Sequence, residues 1–176
     1  YINDLDLKDT TINLKRFNGN NKIASSIKTN GKLNYSQIKK IVNLSSLNSN
    51  ILKNFNGTVD LEKKINFDLN KKFKIENFIH STEGDINYLE MVTENTNAIK
   101  KYLPNFDPKI VIKNTKIKYV STNLDNSVEL IGLIKVQNNY DTFKVVNIYN
   151  NNKKTFQSKV SLDLTNSKVK ISSLNY

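Results

Sequence analysis

The sequence predicts a mainly β fold: a curved, elongated antiparallel sheet of repeated β-hairpins with two short helices packed on it. Apolar and polar residues alternate over long stretches, asparagine-rich turn signals separate those stretches, and helical spacing occurs in only two places. Hydrophobic residues make up only 38% of the chain, which favours a thin or one-sided sheet over a thick globule.

Alternation with a period of two is clearest in residues 59–69 and 156–165, which predicts strands with one hydrated face. The apolar positions are Val59, Leu61, Ile65, Phe67 and Leu69 in the first segment and Phe156, Val160, Leu162 and Leu164 in the second. Residues 128–136 and 143–148 carry apolar residues in both phases, so we expect these two strands to be covered on both sides.

Turns are expected where asparagine clusters, because Asn and Gly tolerate the positive φ of tight hairpin turns. The four predicted turns are Asn18-Gly19-Asn20, Asn30-Gly31, Asn138-Asn139 and Asn150-Asn151-Asn152. Strands joined by such short links are antiparallel neighbours.

Helical spacing occurs first between Ser36, a suitable N-cap, and Asn56-Gly57, a suitable end. It predicts one broken helix or two short ones, with apolar residues Ile38, Ile41, Val42, Leu47, Ile51, Leu52 and Phe55. A second short helix is predicted after Thr96 and before Pro104, which cannot continue a helix. Its apolar residues are Ile99, Tyr102 and Leu103.

An internal echo suggests a repeated hairpin. Leu5-Asp6-Leu7, Ile12-Asn13-Leu14 and Phe17 match Leu162-Asp163-Leu164, Val169-Lys170-Ile171 and Leu174 with the same spacing, and a shorter third copy comprises Phe67-Asp68-Leu69, Phe73-Lys74-Ile75 and Phe78. Each copy predicts a strand, a turn and a strand. We therefore expect residues 1–176 to be a single β-rich segment, a fragment of a longer repetitive protein.

The formal net charge of +11 suggests nucleic acid or anionic membrane as partners. However, Arg16 is the only arginine, whereas arginine is the residue that nucleic-acid surfaces favour. Enrichment in Lys, Asn and Ile is also typical of an AT-rich genome. We therefore predict no nucleic-acid partner and treat the charge as compositional background.

Residues suited to catalysis are scarce. The chain has no cysteine, and its single histidine, His80, is expected in a loop before a turn at residues 81–84. Glu83, Asp85 and Glu90 lie close in sequence, but Asp85 and Glu90 should point to opposite faces of one regular strand. No glycine-rich phosphate loop can be assembled. The sequence predicts no enzyme, with no catalytic, cofactor-binding or metal-binding residues and no cofactor.

One stretch resembles the AsmA-like family of envelope proteins of Gram-negative bacteria. The resemblance covers residues 30–92 and lies in the order of parts: a short helical stretch, then a strand with Gly57-Thr58-Val59-Asp60-Leu61, then a strand with Ile65-Asn66-Phe67-Asp68-Leu69, then Gly84-Asp85-Ile86 opening the next strand. It implies a long, curved sheet whose apolar groove carries phospholipid acyl chains from the inner towards the outer membrane. It also implies a periplasmic location, with an inner-membrane anchor outside this segment, in a Gram-negative bacterium with an AT-rich genome.

Under that resemblance the groove would be lined by the echoed apolar residues Phe67, Leu69, Phe73, Ile75, Leu162, Leu164, Val169 and Ile171. A second possibility is a non-enzymatic β-sandwich that serves as a binding or adhesion module, with the same residues in a closed, dry core. An apolar surface open to solvent would distinguish a lipid groove from such a core.

Overall fold

The computed structural model describes residues 5–17, 20–34, 55–93 and 97–170 of the chain. They form one open, curved sheet of eight antiparallel strands that follow one another in chain order. The strands are β1 (Leu5–Phe17), β2 (Asn20–Asn34), β3 (Asn56–Leu69), β4 (Ile75–Val92), β5 (Lys109–Ser121), β6 (Asp125–Lys135), β7 (Tyr140–Asn150) and β8 (Thr155–Asp163). The predicted antiparallel, hairpin-linked β fold is confirmed.

Two of the four predicted turns lie where the sequence put them. Asn138-Asn139 separates β6 from β7, and Asn151-Asn152 separates β7 from β8. Phe17 pairs with Asn20, so β1 and β2 are adjacent as expected, although residues 18 and 19 lie outside the described residues. The prediction of a turn at Asn30-Gly31 is wrong, because both residues lie within β2 and pair with β1 and β3.

One short helix, α1 (Asn97–Lys100), lies between β4 and β5, where the sequence predicted it. The amides of Tyr102 and Leu103 both donate to the Ile99 carbonyl, at 3.0 and 2.8 Å, and close its last turn. Thr96 and the predicted helical stretch at residues 36–54 lie outside the described residues. Asn56-Gly57, its predicted end, already belongs to β3.

Bulges interrupt the alternation of β4 and β5. Thr58 and Val59 pair with Tyr88 and Ile86, so Asn87 is an extra residue of β4. Asn77 and Asn114 lie at two further register shifts and have φ of 52° and 47°, a conformation that asparagine tolerates better than most residues. Each bulge shifts which residues share a face of the sheet.

The prediction that each of the three motif copies forms a hairpin is correct for one copy. Residues 67–78 form the hairpin of β3 and β4, with its turn at residues 70–74. Residues 5–17 instead form the single strand β1, with a register shift between Leu7 and Thr10. In the remaining copy, β8 ends at Asp163 and residues 164–170 contain no strand. The repeated unit is therefore the strand pair, not the echoed motif.

The hydrophobic core is a cluster on one face of the sheet. Leu89, Ile112 and Phe143, from β4, β5 and β7, are buried together. The half-buried residues around them are Phe55, Ile86, Met91, Leu130, Ile134 and Val145. On the other face, Ile131 of β6 and Ile148 of β7 are 45% and 40% exposed, so the prediction that these two strands are covered on both sides is wrong.

Candidate functional surface

The sheet has two chemically different faces. Residues paired directly across antiparallel strands point to the same side, so the registers assign every strand residue to a face. We call the side that carries Leu89, Ile112 and Phe143 the apolar face and the opposite side the charged face. Among the described strand residues, the apolar face has only three charged side chains, Arg16, Lys63 and Asp141.

The apolar face continues across all eight strands. Its strand residues include Leu7, Ile12, Ile23, Ile65, Leu89, Ile117, Leu130, Val145 and Val160. At the edges of the sheet these residues are open to solvent: Ile12 and Leu14 of β1 are 73% and 67% exposed, and Phe156 and Val160 of β8 are both 64% exposed. The face thus joins a buried centre to two exposed apolar margins.

Glycines let neighbouring strands approach closely beneath this face. A Cβ at Gly57 would lie 2.6 Å from the Tyr88 carbonyl oxygen, and one at Gly84 would lie 2.1 Å from the Asp60 carbonyl oxygen. Gly84 also has a φ of 152°, which residues with side chains rarely adopt. It lies inside β4, so it does not open a strand as the predicted Gly84-Asp85-Ile86 motif required.

A strap formed by residues 164–170 returns across the ends of β6 and β7. The carboxylate of Asp141 is 1% exposed and accepts hydrogen bonds from the Asn166 amide, at 2.8 Å, and the Ser167 hydroxyl. The side chain of Gln137 donates to the Lys168 carbonyl and accepts from its amide, both at 2.9 Å. The strap thereby fastens one end of the sheet.

The strap also reaches the connection that contains α1, because the Lys170 amide donates to the Tyr102 carbonyl at 2.8 Å. At the same end, the Asp107 amide donates to the Val136 carbonyl at 2.8 Å. The described links at the opposite end of the sheet are short, such as the one between β5 and β6 at residues 122–124. The two ends of the apolar face therefore differ in how they are closed.

His80 lies within β4, so its prediction as a loop residue is wrong. It pairs with Ile65 and Ser121 on the apolar face, and its ring meets the Tyr119 ring edge-on with centroids 5.3 Å apart. Its Nε2 is buried and has no hydrogen-bond partner. Burial, and secondarily the positive charge of Lys63, lowers the pKa of His80 from its ordinary value of 6.5.

On the charged face, acidic and basic side chains form a cross-strand row over six strands. The row consists of Lys28, Glu62, Glu83, Lys118 and Glu129, with Lys144 of β7 diagonal to Glu129. Lys144 and Glu129 approach to 2.6 Å, and the hydrogen bond from Lys144 holds the pKa of Glu129 below its usual value. These side chains keep the charged face hydrated, and the row includes one like-charged pair, because Glu62 lies directly opposite Glu83.

The carboxylates of β4 share a face, contrary to the expectation for a regular strand. Because Asn87 is an extra residue between them, Asp85 and Glu90 point to the same side of the sheet, the charged face. Glu83 lies 3.9 Å from Lys118, whereas Glu90 lies 2.9 Å from Lys109. The two glutamates are thus held by different lysines and do not form a pair.

Tyr88 and Glu90 form the most strongly perturbed pair on the charged face. The Tyr88 hydroxyl donates to the Glu90 carboxylate, and Lys109 approaches the same carboxylate. The hydrogen bond from Tyr88, with that from Lys109, keeps the pKa of Glu90 below its usual value, and the same bond raises the pKa of Tyr88 to about 12.

The predicted groove residues are divided by the structure. Phe67 and Leu69 are half-buried on the apolar face, with the Phe67 ring 6.4 Å from that of Phe78, and Leu164 is half-buried in the strap. The exposed members are Phe73, Ile75, Leu162 and Val169. Ile171 lies outside the described residues. The sequence therefore indicated a one-sided apolar face but missed its centre at Leu89, Ile112 and Phe143.

Among the described residues, no group of three or more acidic or histidine side chains is arranged to hold a metal ion. No helix in the described part of the chain is long and apolar enough to cross a membrane. No protein-family model, curated protein or solved structure matches this chain. What the chain does must therefore be inferred from the two faces of its sheet.

Proposed function

We propose that this chain is a non-enzymatic segment of a bacterial envelope protein whose apolar face holds phospholipid acyl chains and lets them pass between the inner and outer membranes. The observation that carries the proposal is the continuity of the apolar face over eight strands, with Ile12 and Val160 exposed at its two margins. The sequence resemblance of residues 30–92 to AsmA-like envelope proteins is the second reason for the proposal, although its two strand motifs both fall within β3 and Gly84 lies inside β4 instead of opening a strand.

The physical reason is the cost of hydrating this face. Exposed apolar surface is unfavourable by roughly 25 cal/mol per Å², and apolar patches on soluble monomers rarely exceed a few hundred Å². Strands lie about 4.8 Å apart, so eight of them span about 34 Å. A flexible acyl chain covers such a surface without needing directional contacts, so it can slide along the apolar side chains.

The alternative of a β-sandwich module requires two sheets packed face to face. The described strands form one sheet, and each of them contacts its sequence neighbours. That arrangement favours the lipid groove over the sandwich. Under the proposal the chain works in the periplasm of a Gram-negative bacterium with an AT-rich genome, and parts outside this segment anchor it in the inner membrane.

Because the chain has no cysteine, a single introduced cysteine carries a spin label to a chosen face. Matched pairs of neighbours are Ile12→Cys and Thr11→Cys on β1, and Val160→Cys and Lys159→Cys on β8. These side chains are exposed, so labelling should not disturb folding. When diheptanoyl phosphatidylglycerol is added as a monomer, the spin labels at residues 12 and 160 should become less accessible to a water-soluble relaxation agent.

Labels at 11 and 159, on the charged face, should keep their accessibility under the same conditions. Equal changes on both faces, or none on either, would rule out an apolar face that binds acyl chains. In cells, Ile12→Asp should slow phospholipid delivery to the outer membrane, whereas Thr11→Asp should not. Circular dichroism of both variants establishes that the sheet is intact, and equal delivery by the two would contradict the conduit.

A further inference from the structure

A small polar cluster interrupts the apolar face near the centre of the sheet. Lys63 of β3 pairs with Thr82 of β4, and Thr82 pairs with Tyr119 of β5, so the three side chains form one cross-strand row. His80 lies two residues from Thr82 on the same face and contacts Tyr119. Three adjacent strands span about 10 Å, so the flexible Lys63 stem brings its ammonium within reach of the other three groups.

The imidazole of His80 is the one described side chain with a buried polar atom that lacks a hydrogen-bond partner. Leaving such an atom unpaired costs about 1–3 kcal/mol, so orphaned groups in native proteins usually mark a place where a ligand or water completes the structure. A neutral imidazole has one N–H donor and one acceptor nitrogen, so a protonated Nε2 can donate to an anionic oxygen.

The charge balance of the apolar face indicates an anion. Among its described strand residues, Lys63 and Arg16 are the only cations and Asp141 is the only carboxylate. Asp141 is already engaged by Asn166 and Ser167 in the strap. Lys63 is exposed and no described carboxylate lies within ion-pair distance of it, in contrast to its neighbour Lys64, which lies 3.1 Å from Glu62 on the charged face.

We propose that Lys63, His80, Thr82 and Tyr119 bind the phosphate of a phospholipid while its acyl chains lie on the apolar surface around them. Lys63 supplies the positive charge, and the hydroxyls of Thr82 and Tyr119 donate hydrogen bonds to the phosphate oxygens. The Nε2–H of His80 donates a further hydrogen bond to the phosphate. This inference rests on the proposed function and adds a headgroup preference to it: anionic glycerophospholipids are held more tightly than lipids without phosphate.

The test compares binding of diheptanoyl phosphatidylglycerol and diheptanoylglycerol, both as monomers, by isothermal titration calorimetry. Lys63→Gln should weaken binding of the phosphorylated lipid on the order of 10-fold, as expected for loss of a charge-assisted hydrogen bond, and leave the diacylglycerol unaffected. Lys64→Gln removes the same charge from the other face and serves as the matched control. Inorganic phosphate is the third ligand.

Because the chain has a single histidine, the ¹⁵N signal of the His80 Nε2 reports contact without ambiguity. It should shift on addition of phosphatidylglycerol and stay in place with the diacylglycerol. Equal effects of Lys63→Gln and Lys64→Gln, or a His80 signal that ignores the phosphorylated lipid, would overturn the phosphate site while the acyl-chain proposal survives. Inorganic phosphate binding as tightly as the lipid would show that the site serves free phosphate. If the wild-type chain binds neither lipid, the proposed function itself fails.

Discussion

Thr115 of β5 lies directly against Gly132 of β6 on the apolar face. Thr115 is completely buried, and a Cβ built on Gly132 would fall 2.0 Å from its Oγ1 and 2.6 Å from its Cα. The second distance involves backbone, which cannot rotate away. Phe143 pairs with Gly132 from the other side, on β7, and is buried in the core with Leu89 and Ile112.

Gly132→Ala should therefore destabilise the fold by about 3 kcal/mol, because the added methyl group forces β5 and β6 apart. Urea denaturation followed by circular dichroism measures the free energy of unfolding. Ser127→Ala, on the charged face of the same strand, should change it by less than about 0.5 kcal/mol. Similar midpoints for the two variants would show that β5 and β6 are not this closely packed.

The fold was predictable from sequence where alternation is local and uninterrupted. In β3, Val59, Ile65 and Phe67 all lie on the apolar face as the period of two requires. In β2, by contrast, Asn30-Gly31 has turn composition but pairs with strands on both sides. The gain from extending two ladders outweighed a local preference for a turn.

The candidate site was less predictable because a bulge leaves almost no recognisable signal in the sequence. Asn87 is one asparagine among many, yet as an extra residue it moves Glu90 to the face of Asp85. His80 is followed by polar residues that suggest a loop, and only its pairing with Ile65 and Ser121 reveals that it lies on the apolar face. Such placements depend on partners distant in sequence, which alternation alone does not identify.

The strap should depend on Asp141. Asp141→Ala removes an acceptor that serves the Asn166 amide and the Ser167 hydroxyl, and bonds to a charged acceptor contribute about 1.5–3 kcal/mol each. We expect a loss of about 3 kcal/mol in the free energy of unfolding. Hydrogen exchange should accelerate at Asn166 and Lys168 beyond this global effect, because the strap detaches first.

Asp163→Asn is the matched control for the strap, since this exposed carboxylate accepts the Thr165 amide at 3.2 Å at the start of the same segment. It should leave exchange at Lys168 unchanged. Unaltered exchange at Asn166 in Asp141→Ala would show that Asp141 does not hold the strap in place.

The hydrogen bond from Tyr88 to Glu90 should be visible in an alkaline titration. The pKa of Tyr88 is raised to about 12, because ionising the phenol would break its bond to the carboxylate. The difference in phenolate absorbance between wild type and Tyr88→Phe isolates this group among the eight tyrosines. In Glu90→Gln, the pKa of Tyr88 should fall towards its ordinary value of 10.

The sign of the accompanying stability change follows from the same shift. Tyr88 has a higher pKa in the folded state than in the unfolded state, so the contribution of this bond is complete below about pH 10 and is lost as the pH rises towards 12. Tyr88→Phe should remove that part of the alkaline destabilisation. An identical pH dependence in both proteins would contradict the bond.

His80 should titrate below 6.5, because burial disfavours its charged form and Lys63 adds repulsion. Proton NMR of its ring signals follows this single histidine directly. Lys63→Gln should raise the pKa of His80 only in part, since burial is the larger cause. The folded state holds the neutral imidazole, so its contribution to stability is present above pH 6.5 and is lost as the pH falls through the lowered pKa. His80→Phe should abolish that component of acid destabilisation, and a titration of His80 above 6.5 in the wild-type chain would contradict its burial on the apolar face.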